Sequence, residues 1–210
     1  MSLTTSYYPS SALESLLSKS IELFVCKGIK EITMDDIAQN MGISKKTLYR
    51  LVRTKEQLVG ECCQFSLAEV FQKIKLESEK AANAIDELLR IDKLMRDKIG
   101  SQFHTIESDI KHLYPEVYVI LSENRRSLVL DLQVKNLRRG ILEGFYRADI
   151  NVEILAYLYY TKLHALMSEG LQCGDVNGVA LILNQALHYH IRGIATLKGL
   201  DYLENEKTAK

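Results

Sequence analysis

The sequence predicts an all-α fold, and three observations carry that prediction. Apolar residues recur at three- and four-residue spacings along almost the whole chain, as the core-facing stripe of an α-helix requires. Only two prolines and no tryptophan occur, β-branched runs are few, and no segment shows the strict alternation of a half-buried strand. Capping residues and glycines punctuate the periodic segments at the places where helices would start and stop.

The elements follow in order. Leu13, Leu16, Leu17, Ile21 and Phe24 form one apolar face of a first helix, and Gly28 supplies its stop. Thr33 opens "TMDDIAQNM": its hydroxyl can cap the free amides of a new helix, and Asp36 three places on completes an approximate capping box. Gly42 ends that helix. Ser44 caps a second short one, "KKTLYRL", and Thr54 caps a third with Gln57 in the reciprocal position. This third helix is expected over 55–77, amphipathic through Leu58, Cys62, Phe65, Leu67, Val70, Phe71 and Ile74. A polar stretch, "KLESEKAANAIDE", marks a domain boundary near 76–82, and further helices are expected at 83–98, 103–112, 115–145, 151–170 and 177–203. The organisation read from this is a domain over 1–54, a linking helix over 55–77 and a helical domain over 78–210.

Composition excludes several functions. Twenty-seven cations balance twenty-seven anions, so no global field draws the chain to nucleic acid or membrane, and any such attraction must be local. The cysteines, Cys26, Cys62, Cys63 and Cys173, form no CxxC pair, which predicts free thiols in a reducing, cytoplasmic setting rather than zinc or a disulfide framework. "MSLTTSYYPS" lacks the charged and apolar regions of a signal peptide, and the longest apolar run, "ILAYLYY", is too short to span a bilayer. His188 and His190 are two apart and point to different helix faces, so they cannot share a metal ion locally. With no glycine-rich phosphate loop, nucleophile elbow or paired carboxylates at useful spacing, neither a cofactor nor an enzyme is expected.

One local charge imbalance stands out. "GISKKTLYRLVRTKEQL" carries five cations, Lys45, Lys46, Arg50, Arg53 and Lys55, against the single anion Glu56. The two short helices joined by "MGIS" form a tight helix-turn-helix. Ala38 must be small where the helices cross, Gly42 takes the turn position where a positive φ is easiest, and Ile37, Met41, Ile43 and Leu48 point inward. Lys45, Lys46, Thr47, Tyr49 and Arg50 then lie on or beside the outward face of the second helix, with Ser44 at its cap. A face of that kind can enter a major groove, and its cations are a footprint for DNA phosphates.

"IELFVCKGIKEITMDDIAQNMGISKKTLYRLVRTKEQL" resembles the N-terminal domain of the TetR family of transcriptional regulators, and the likeness covers about residues 13–65. The resemblance implies a homodimeric, all-α repressor released by a small molecule. Position by position, it implies that Thr33 meets a phosphate and that Lys45, Lys46 and Thr47 approach base edges and backbone. It further implies that Tyr49 contacts a phosphate and that Lys55 opens a helix whose N-terminus faces the DNA. Two departures are evident. Leu51 and Val52 stand where the family has an aromatic or histidine and then a phenylalanine, which removes one phosphate contact. No Lys or Arg precedes Lys19, so no basic arm reaches the minor groove.

The C-terminal domain reads as a dimerisation and ligand domain. "VEILAYLYYTKLHALM" is apolar nearly all round, which requires burial on more than one side, and "VALILNQALHYHIRGIATL" repeats the feature. Candidate interface residues are Leu158, Met167, Val179, Ile182, Leu183, Ala186 and His190. A two-fold dimer implies a palindromic double-stranded DNA operator. The resemblance places an effector pocket in the helical body, with His104, Tyr118, Asn124, Tyr160 and His164 as its polar candidates and an apolar or amphipathic small molecule as the ligand. The alternative is an effector-independent dimeric DNA-binding scaffold whose body is solidly packed.

Overall fold

The computed structural model describes residues 9–96, 102–170 and 176–208. Ten helices are described: α1 (Ser11–Lys27), α2 (Met34–Asn40), α3 (Lys45–Leu51), α4 (Lys55–Lys80), α5 (Ala84–Arg96), α6 (Gln102–Leu113), α7 (Pro115–Leu142), α8 (Val152–Gly170), α9 (Val176–Ile194) and α10 (Leu197–Thr208). Among the described residues there is no strand, only an isolated antiparallel bridge between Tyr146 and Ala195. No described helix is long and apolar enough to cross a membrane.

The chain forms two compact units, Met1–Gln72 with Ser101–Arg125, and Lys73–Gly100 with Arg126–Lys210. These units differ from the division expected at residue 78, because α6 and the start of α7 join the N-terminal unit. The reason is burial. Ile110 of α6 lies in the same core as Leu16, Leu17, Phe24, Ile29, Ile37, Leu48, Val52 and Leu58, with Tyr114, Val117, Tyr118 and Leu121 packed against it. A fully buried isoleucine contributes roughly 2 kcal/mol, and a stripe of such residues decides where an amphipathic helix docks.

The C-terminal unit has its own core: Ala84, Ile85, Leu88, Leu137, Tyr146, Ala156, Leu187, Ile191, Ile194, Ala195 and Leu203. A buried polar network ties α5 to α7. Asn136 Nδ2 donates to Ala84 O (2.8 Å) and Glu87 Oε2 (3.0 Å), and the Tyr146 hydroxyl donates to Asn136 Oδ1 (3.1 Å). Arg139 reaches Glu143 (2.6 Å), Glu87 (3.3 Å) and the carbonyl of Ala81 (3.0 Å). Each polar group of this network thereby has a partner, without which its burial would cost free energy. Gly140 makes room for the arrangement, since a Cβ there would lie 2.0 Å from the Tyr146 ring.

The single helix expected over 177–203 is two helices, broken at Ala195–Thr196, and the helix expected to reach 145 ends at Leu142. Both departures arise where residues 144–147 meet 194–196. Thr196 N–H donates to Phe145 O and Arg147 N–H to Ile194 O, each at 2.9 Å, taking backbone groups out of the helical ladder. Thr196 then caps α10, accepting from Gly199 N–H (3.2 Å) while its hydroxyl donates to Gly144 O (2.8 Å). Gly199 is required because a Cβ would meet Phe145 O at 2.4 Å. These are long-range pairings that helical periodicity does not encode.

Candidate nucleic-acid interface

The helix-turn-helix forms as its capping chemistry dictates. Thr33 and Asp36 make the full capping box: Asp36 N–H donates to Thr33 Oγ1 (3.2 Å) and Thr33 N–H to Asp36 Oδ2 (2.8 Å). The same side-chain pairing with Thr33 holds the Asp36 carboxyl below the usual carboxylate range. Gly42 turns the chain at φ 65°. Ser44 Oγ accepts from Thr47 N–H (3.1 Å) and starts α3. Thr54 caps α4 through Gln57 N–H (3.0 Å), but the Gln57 side chain accepts from Arg53 N–H (2.9 Å) rather than from the cap residue itself. Beneath α3, Ile37, Ala38 and Leu48 are buried and Met41 and Ile43 pack against them.

On this frame α3 turns Lys45, Lys46, Thr47, Tyr49 and Arg50 to solvent, and Tyr49 is 47% exposed. Their availability differs. Lys46 and Arg50 have no acidic partner among the described residues, and neither has Arg53, which follows the end of α3. Lys45 is held by Asp35 of α2 at 2.6 Å, a pairing that raises its pKa. The Thr33 hydroxyl is occupied by Asp36 (2.6 Å), and the Thr47 hydroxyl lies 2.9 Å from that of Ser44.

Lys55 opens α4, and its side chain has a further partner within the N-terminal unit. Its ammonium donates to Ile29 O at 2.6 Å and lies 3.5 Å from Lys30 O, so it clamps the turn after α1. Partial burial lowers its pKa. Leu51 and Val52, the two departures from the family pattern, have apolar roles: Val52 is buried and Leu51 packs against the same core.

In the C-terminal unit α8 packs on α9. Of the candidate interface residues, Leu158 (54% exposed) and Ile182 (47%) face outward. Leu183 and His190 do not: both are buried, and His190 stacks edge-on against Tyr159 with ring centroids 4.8 Å apart. Ala186 is half-buried, and its carbonyl accepts from Lys162 (2.8 Å). Helical spacing alone puts these three on the interface; other positions of the same helices carry the exposed apolar face. That face comprises Ile154, Tyr157 and Leu158 on α8 with Leu181, Ile182 and Tyr189 on α9. The side chains of His104, Met167 and Val179 lie outside the described residues.

The pocket candidates divide between the units. Tyr118 packs against the N-terminal core, and Asn124 edges a crevice of about 40 Å³ lined by Gly60, Cys63, Leu67, Val117, Ile120 and Leu121. That volume suits a water molecule rather than an effector. The rings of Tyr160 and His164 on α8 lie with centroids 5.7 Å apart and tilted by 41°, with the Arg126 guanidinium 5.9 Å from the Tyr160 ring.

Comparison with known proteins agrees with the geometry. Residues 16–62 match the family model described as bacterial regulatory proteins, tetR family. The chain is 29% identical over 146 residues to the HTH-type transcriptional repressor KstR2 of Rhodococcus jostii, covering 66% of this chain and 70% of that protein. A transcriptional regulator from Cytophaga hutchinsonii has the same fold, with a TM-score of 0.79 at 17% identity over 89% of this chain and 100% of that one. The ketosteroid transcriptional regulator KstR2 of Mycobacterium tuberculosis superposes with a TM-score of 0.56 at 21% identity, over 90% and 97% of the two chains. Residues 16–62 thus carry a DNA-binding domain of the tetR-family type, and the chain is a DNA-binding transcriptional regulator.

Proposed function

We propose that the chain is a homodimeric cytoplasmic repressor that reads a palindromic operator with α3 and is released by an apolar or amphipathic small molecule. The DNA-reading part rests above all on one observation: the cations Lys46 and Arg50, free of acidic partners among the described residues, stand beside exposed Tyr49 on the outward face of a fully capped helix-turn-helix. Relatives named as repressors support repression. An exposed apolar face across α8 and α9 supports a dimer, since monomers seldom expose such a patch. For the effector, the support is the group Arg126, Tyr157, Tyr160 and His164 on α7 and α8, where a cation lies beside aromatic rings. The ketosteroid regulator among the similar structures fits an apolar ligand class. Regulators as relatives, together with the sequence's lack of a catalytic motif, argue against an enzyme.

Lys45→Ala with Lys46→Ala tests the DNA-reading face. Removing a cation that neutralises one phosphate should flatten the slope of log affinity against log salt by about 0.9. The Lys46 change should dominate, because Lys45 is already paired with Asp35. Unchanged affinity and slope in the folded double variant would remove α3 from the interface. For the effector, a ligand that weakens operator binding ~100-fold must itself bind ~100-fold more weakly to the operator complex, by linkage. A library in which every stabilising ligand leaves operator affinity unaltered would favour the scaffold.

A further inference from the structure

The turn after α1 is gripped from two sides by residues outside the helix-turn-helix. Gly28 closes α1 at φ 84°, and the next two amides point at α6, where Asp109 Oδ2 accepts from Ile29 N–H at 2.9 Å and Lys30 N–H at 3.4 Å. From α4, Lys55 Nζ donates to Ile29 O at 2.6 Å. One residue, Ile29, therefore has both backbone groups held by opposite charges, while its side chain is 1% exposed in the core beneath α2 and α3. The two peptide units flanking Ile29 are thereby held, the first through its N–H and the second through its C=O and the Lys30 N–H, and the chain leaving them reaches the Thr33 cap of α2 within four residues.

From this geometry we infer that Asp109 is a positioning residue for DNA binding: its carboxylate fixes the 28–30 turn and, through it, the orientation of α2 and α3. Asp109 lies 80 residues from Ile29 in sequence, and its hydrogen bonds go to the turn rather than to the α3 face. Its effect on DNA is exerted through the backbone it holds. Without the carboxylate the partly buried Ile29 amide has no acceptor, and the Lys55 ammonium holds the following peptide through Ile29 O unopposed. The turn then relaxes to satisfy the amide with water, and the capped helices that follow it shift as a body. Asparagine at 109 keeps an acceptor oxygen and should hold the turn; alanine should not. The inference rests on the reading of α3 as the DNA-contacting face.

The probe is a duplex enriched from a randomised pool by the wild-type chain, with affinities measured well below the melting temperature so that every variant is folded. Charge-assisted hydrogen bonds of this kind predict that Asp109→Ala weakens duplex binding by about tenfold or more, whereas Asp109→Asn stays within about threefold of wild type. A role confined to stability would lower the melting temperature of D109A yet leave its affinity unaltered, since the folded fraction at the assay temperature is unchanged. Folded D109A that binds within about twofold of wild type overturns the inference, as does an equal loss in D109A and D109N. Should D109A not fold, D109E replaces it: the same charge on a longer arm displaces the turn, so weakened binding supports the inference and wild-type binding overturns it. Failure of the wild-type chain to enrich any duplex would count against the DNA-contacting face itself rather than against Asp109.

Discussion

Ile182→Glu is expected to leave the fold intact, separate the proposed dimer into monomers and weaken operator binding by at least ~100-fold, the loss that follows when two tethered reading heads become independent. Ile182 is 47% exposed and lies on α9 with exposed Leu181 and Tyr189, while α8 exposes Ile154, Tyr157 and Leu158. In the monomer a glutamate at 182 remains hydrated. In an apolar interface it must lose that hydration without a partner, at a cost of several kcal/mol. Leu183→Glu distinguishes interface from core. Leu183 is 7% exposed, so a charge there should unfold the C-terminal unit rather than produce a folded monomer. Sedimentation with and without operator separates the two outcomes, and a dimeric Ile182→Glu protein would exclude this face from the interface.

Acidification should destabilise the protein through His190. Burial, with the nearby Lys162 ammonium, depresses the His190 pKa from 6.5 to about 4. Its Nε2 is buried with no hydrogen-bond partner among the described residues, and Lys162, whose pKa is itself lowered by burial, sits over the Tyr159 ring that His190 stacks upon. The unfolded chain therefore takes up a proton near pH 6.5 while the folded chain stays neutral. Stability from this site is complete above pH 6.5 and is lost as pH falls towards 4, by roughly 3 kcal/mol in all. Chemical denaturation at pH 7 and pH 4.5 measures it. His190→Gln should flatten that part of the pH profile, and an unaltered profile in this variant would assign the acid sensitivity to other groups.

What can be read in the sequence depends on the range of the interaction. The helix-turn-helix is legible because its determinants are local: the Thr33–Asp36 box, the positive φ of Gly42 and the Ser44 cap each act within four residues. Burial of Ile37, Ala38 and Leu48 follows from the same spacing. Side-chain partners across elements are not legible. Nothing in the spacing of Lys45 indicates Asp35, nothing near Lys55 indicates the Ile29 carbonyl, and Asp109 gives no signal at all from its position in α6. Facing is also underdetermined on α8 and α9, since helices apolar nearly all round leave the outward stripe undefined. Thus Ile182 faces outward as its spacing suggests, and Leu183, its neighbour, does not. The break at Thr196 depends on Phe145, some fifty residues away.

Selection of duplexes from a randomised pool by the wild-type protein tests the central claim most directly. A two-fold dimer carrying two α3 helices should enrich an inverted repeat whose half-sites are about one helical turn apart, or a multiple of it, and Lys45→Ala with Lys46→Ala should abolish the enrichment. Recovery of sequences without two-fold symmetry, or equal enrichment by the double variant, would contradict a symmetric regulator that reads DNA through α3.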